Sequence, residues 1–110
     1  MQLRVFKARD GTLAVEVSSP LLPATEYRWF VPLVLEADFS PALGRAGDMI
    51  RVQHAAATYF PIYMLIRSVL MTGDLWTEAG WTEAGVLSDK VSNNLLNQIS
   101  DRLGWDLPPR

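Results

Sequence analysis

The sequence predicts a small α+β domain, an antiparallel sheet of three to four strands packed against two helices. Three observations carry that expectation. Two alternating segments flank Asp10-Gly11 near the N-terminus, a branched and aromatic run follows from Tyr27, and the C-terminal third shows clear helical spacing. The chain has 110 residues, so one domain spanning 1–110 is expected.

The first element is an N-terminal β-hairpin, with Leu3–Arg9 and Thr12–Ser18 joined by Asp10-Gly11 as a two-residue loop. That loop sets Ala8 opposite Leu13, Phe6 opposite Val15 and Arg4 opposite Val17. Ala8, Leu13, Phe6, Val15 and Val17 then share a buried face, and Lys7, Arg9, Glu16 and Ser18 a wet one. Pro20 and Pro23 bracket a turn.

Tyr27 to Phe39 reads as a third strand with Trp29, Val31, Leu33 and Leu35 on one face. Pro32 removes a ladder donor, so an edge position or a bulge is expected there. Residues 40–48 form a loop by composition, and Met49 to Gln53 suits either a short strand or a helix entry. Pro61 fits the first turn of a helix running to about Thr72, with Gly73 as its stop. The last helix is capped by Ser88 or Asp89 and buries Val91, Leu95, Leu96, Ile99 and Leu103. Gly104 ends it, and Trp105 folds back on the last turn. Its other face carries the amides Asn93, Asn94, Asn97 and Gln98, a weaker contact candidate.

Composition excludes several kinds of chemistry. There is no cysteine, so disulfides and thiolate metal sites are out. His54 is the only histidine, and none of Ser40, Ser68 and Ser88 lies in a nucleophile-elbow context, so no catalytic residue is assigned. Glu36 and Asp38 point the same way if they lie on a strand, but they read more simply as its polar end. Gly44-Arg45-Ala46-Gly47 lacks the Lys and hydroxyl of a phosphate loop. No cofactor or metal is expected. The N-terminus has no apolar signal region and no segment is long enough to span a membrane, so a cytoplasmic protein is expected.

One feature remains. Trp76-Thr77-Glu78-Ala79-Gly80 is followed at once by Trp81-Thr82-Glu83-Ala84-Gly85. A period of five matches neither helix nor strand, so the copies should form a loop and not stack on one regular face. From Asp74 to Asp89 there are four carboxylates and no Lys or Arg. Residues 71–110 carry six acids against three bases, which repels phosphate and steers a basic partner. Tryptophans beside acids suit a protein interface, so Asp74, Trp76, Glu78, Trp81 and Glu83 are the candidate partner-binding residues.

In overall profile the chain resembles the cognate immunity proteins of bacterial polymorphic toxins, including those of contact-dependent growth inhibition systems. That resemblance implies a non-enzymatic protein that binds one toxin domain tightly, commonly a nuclease with a basic active site. It would place the five candidate residues on the toxin-facing surface. Two other readings stay open. One is a small enzyme or ligand binder with a pocket between sheet and helices, lined by Trp29, Tyr59 and Tyr63 with His54, Glu36 or Asp38. The other is a homo-oligomeric accessory subunit.

Overall fold

The computed structural model describes residues 2–17, 27–45, 47, 49–70 and 73–103, with the side chains of Tyr27, Leu70, Asp74, Leu75 and Leu103 left aside. These residues form one antiparallel sheet of seven strands, curled into a half-barrel around a single long helix. The expected three to four strands on two helices is therefore corrected. The strands are β1 (Arg4–Lys7), β2 (Leu13–Glu16), β3 (Tyr27–Leu35), β4 (Val52–His54), β5 (Ala57–Pro61), β6 (Arg67–Leu70) and β7 (Thr82–Val86). The helices are the short α1 (Asp74–Ala79) and the long α2 (Asp89–Leu103). The sheet runs β4-β5-β3-β2-β1-β7, with β6 paired to β3 beyond β5.

The curl gives the sheet two apolar faces. Val5, Val15, Val31, Leu33 and Val52 point to the concave side and meet Leu95, Leu96 and Ile99 of α2. Phe6, Ala14 and Phe30 are buried on the convex side, together with part of Trp76 and Trp81. A second convex cluster joins Phe60, Ile62 and Met49 to Phe39 and Leu43. The concave space that the sequence reading assigned to a pocket is thus packed core, with Tyr63 buried in it and Trp29 and Tyr59 against it.

The N-terminal hairpin exists, but its register is one residue away from the expected one. Val5 faces Val15, Phe6 faces Ala14 and Lys7 faces Leu13. The loop holds three residues, Arg9-Asp10-Gly11, closed by Gly11 N–H to Ala8 O at 3.0 Å, with Gly11 at φ 92°. The slip puts Phe6 and Ala8 on the convex side and leaves Val15 and Val17 on the concave side. Glu16, expected to be wet, is buried and bridges Arg4 at 2.7 Å and Arg28 at 3.2 Å.

Strand β3 ends at Leu35, short of Phe39, and Glu36–Asp38 form a 3-10 turn. Glu36 and Asp38 are therefore not strand neighbours, and Glu36 pairs with Arg51 at 3.3 Å. Val31 and Leu33 are buried as expected, while Leu35 is exposed. Pro32 sits on a central strand in unbroken register with β2, not at an edge or in a bulge of its own strand; the irregularity lies in the segment that joins β5 to β6. Between the Val34–Phe60 and Phe30–Arg67 pairs the partner chain gains three residues, the 3-10 turn Tyr63–Leu65. Ile62 N–H donates to Pro32 O at 2.9 Å. The return bond would need an N–H that proline lacks, so the partner strand loses little by leaving the ladder there.

Residues 52–61 are strands, not helix. β4 and β5 form a hairpin in which His54 faces Ala57. Its two loop residues, Ala55 and Ala56, have φ of 49° and 64°. The run expected as a helix from Pro61 is the end of β5, the 3-10 turn and β6. Gly73 starts α1 and does not stop a preceding helix. The sheet curls far enough that a Cβ on Gly85 of β7 would lie 3.6 Å from Cε1 of His54, at the end of β4.

Helix α2 follows the sequence reading closely. Ser88 Oγ accepts from Val91 N–H at 3.3 Å, and Leu95, Leu96 and Ile99 are buried. The amide face is put to use within the fold, since Tyr63 Oη–H donates to Gln98 Oε1. The turn at Pro20 and Pro23 and the stop at Gly104 and Trp105 lie outside the described residues, as does the side chain of Leu103. No helix among the described residues is long and apolar enough to cross a membrane.

Alanine in the left-handed region costs about 1–2 kcal/mol per residue. Replacing Ala55→Asn and Ala56→Gly should therefore stabilise the protein by about 1–2 kcal/mol in urea unfolding, since Asn-Gly suits this loop. Burial pushes the Tyr63 phenol up to about 12, with the Arg102 guanidinium partly opposing. An unfolded phenol ionises near 10, so the stability from the neutral phenol is intact below about pH 10 and is lost as pH rises through about 12. Tyr63→Phe should lose less stability than the parent between about pH 9 and about pH 11.5, measured by urea unfolding.

Candidate functional site

The duplicated segment forms two different structures. The first copy is helix α1 with Gly80 as its stop, and the second is strand β7 preceded by Trp81. Five residues are too few to nucleate either state alone, so the neighbours decide. Gly73 O accepts from Thr77 N–H at 3.0 Å and from Thr77 Oγ1 at 3.1 Å, which closes the first turn of α1. Ala79 O accepts from Arg9 N–H at 2.8 Å and ties the helix end to the β1–β2 loop. Gly80 takes φ 66°, and the Arg9 guanidinium lies against it, so a Cβ there would come within 3.0 Å of Arg9 Nη2. The second copy pairs with β1, Thr82 to Lys7 and Glu83 to Phe6. The register then shifts so that Gly85, at φ 135°, meets Val5 and Ala84 is the extra residue.

This arrangement brings the tryptophans together, against the expectation from their spacing. Their rings stack at 5.6 Å between centroids and 18° between planes. Trp76 also meets Phe6 at 5.5 Å and Phe30 at 5.1 Å, and the two phenylalanines meet edge to face at 5.6 Å. Both tryptophans are half-buried. They do not stand in solvent on a loop. Trp76 covers the convex face, and Trp81 covers Trp76.

Beside this cluster the convex face has an open groove of about 560 Å3. Its base is made of small residues, Ala14 on β2 and Pro32 on β3, with Ala8 and Thr12 just beyond the facing ends of β1 and β2. Trp76, Ala79 and Trp81 form one wall, and Phe30, Arg67 and Val69 reach it from β3 and β6. The groove adjoins the Phe6 and Phe30 cluster, with Phe30, Val69, Trp76 and Trp81 lining it beside small side chains.

Its charged groups are Asp10 and Arg67. Asp10 Oδ1 accepts from Thr12 N–H at 2.9 Å, and hydrogen bonds from Thr12, side chain first and then backbone, hold its carboxyl below the usual range. Arg67 is exposed and makes no ion pair within the described residues. Arg4, Glu16, Phe30 and Arg67 stand side by side on neighbouring strands of this face. Arg28 also reaches Glu16, so two arginines, Arg4 and Arg28, share one carboxylate.

Of the five candidate residues, the fold brings Trp76 and Trp81 together at the groove. Glu78 and Glu83 are exposed on α1 and β7 and do not line it, and the side chain of Asp74 lies outside the described residues. The sequence reading missed Phe6, Phe30 and Arg67. The signal was present in β3, where Arg28, Phe30 and Pro32 alternate with the concave set. His54 is half-buried, its ring edge-on to Tyr59 at 6.5 Å, and is not in the groove. Among the described residues no group of three His, Asp or Glu side chains is placed to hold a metal.

Removing Trp76 uncovers two buried phenylalanines, so Trp76→Ala should cost about 3 kcal/mol in urea unfolding. Trp81 loses mainly one stacking contact, and Trp81→Ala should cost about 1 kcal/mol and leave the fold intact. No protein-family model matches this chain, and no curated protein matches it in sequence.

Proposed function

We propose that this chain is a non-catalytic protein-binding module, an immunity protein that neutralises a cognate toxin domain, with the convex groove as its anchor site. The observation that supports this is the pair of stacked, half-buried tryptophans forming one wall of an open apolar groove. Interface hot spots are rich in Trp set beside pockets that exclude water. A partner side chain entering the groove would complete the cover that Trp81 leaves unfinished. Glu78 and Glu83 are exposed on the two elements that carry the tryptophans, where they would steer a basic partner. The groove's ionisable groups favour binding over catalysis. Asp10 is held below the usual carboxyl range by its own turn, which makes it a poor acid or base near neutral pH.

Co-expression with the product of the adjacent upstream gene tests the reading through cell growth and co-purification. The expected result is rescue of a toxic neighbour and a one-to-one complex. Trp81→Ala should weaken that complex by about 2 kcal/mol while the variant remains folded. A harmless neighbour with no complex would count against the immunity role. A complex unaffected by Trp81→Ala would move the interface off the groove.

A further inference from the structure

We infer that the convex groove is also a binding site for a small apolar molecule that carries one anionic group, with its body against Trp81 and its anion on Arg67. The inference does not require a protein partner. Three observations carry it. The groove's volume of about 560 Å3 falls in the range of small-ligand sites. Its base is Ala8, Ala14 and Pro32, a smooth apolar strip with an aromatic wall, which suits a flat hydrocarbon body. Among the described residues its one cation, Arg67, lies on β6, while its one anion, Asp10, lies in the β1–β2 loop.

Asp10 is committed to the Thr12 turn. Glu16 is committed to both Arg4 and Arg28. Arg67, at the β6 end, keeps its guanidinium without an ion pair among the described residues. A planar fork beside apolar surface matches a carboxylate, which it can hold with two parallel hydrogen bonds.

The probe is 2-naphthoate, with neutral 2-naphthalenemethanol as its control, titrated into the full chain by calorimetry and tryptophan fluorescence. Naphthoate should bind saturably and change tryptophan emission. Arg67→Gln, on an exposed side chain, should weaken naphthoate about tenfold and leave the alcohol nearly unchanged, the loss of one charge-assisted contact. Trp81→Ala should weaken both compounds. No saturable naphthoate binding would overturn the inference, and so would naphthoate binding that Arg67→Gln leaves unchanged. Each result stands apart from the partner test, because naphthoate binding needs no second protein.

Discussion

The structure depends on β3 serving two apolar faces at once. Val31 and Leu33 fill the concave core, while Phe30 and Pro32 belong to the convex side. A strand wetted on one side would carry polar residues at every second position. Here the alternate positions are Arg28, Phe30, Pro32 and Val34, so the convex side also needs a cover. Helix α2 supplies the cover on one side. On the other, the described residues supply no long helix but α1 with its tryptophan and the short turns around Phe39 and Leu43. Pro32 fits this strand because the neighbouring chain leaves the ladder beside it.

The duplicated pentapeptide shows how strongly the surroundings act on a short segment. The same five residues hold a helical turn when Gly73 and Arg9 capture their ends, and a strand when β1 offers its free edge. Glycine closes each copy, once in the left-handed conformation that ends α1 and once beside the bulge in β7. Because one copy turns the chain back, the two tryptophans that follow a helix-incompatible spacing end up ring on ring. The repeat is therefore a structural device that folds Trp81 onto Trp76, whatever its evolutionary origin.

Elements with a single possible partner were legible in the sequence. Helix α2 has one apolar face, a serine cap and one core to join, and it lies where its periodicity put it. The hairpin was legible in existence and not in register. Both of its faces are buried, so burial does not favour one register over the next, and a three-residue loop shifts every pair. The segment from Phe60 to Leu70 was misread because a continuous apolar run fits a buried helix and a buried strand equally well. The bulge at Tyr63–Leu65 also breaks the alternation that would have identified a strand. Trp76 and Trp81 could be picked out by residue type. That they would meet each other, Phe6 and Phe30 depends on pairings across the whole sheet, which no local pattern contains.

The groove is the place where packing stops short. A convex face built only for stability would carry larger side chains along the groove. Larger residues at Ala8 or Ala14 would bury more apolar surface, at about 25 cal/mol for each Å2 removed from water. Small residues there leave an open groove beside the half-buried Trp81 and an arginine that makes no ion pair among the described residues. An exposed apolar groove carries a solvation cost that a bound group removes. A charge at its end decides which apolar groups gain most from entering. Shape and charge thus act on the same ligand. The aromatic wall selects a flat apolar body, and the arginine favours one that brings an anion with it.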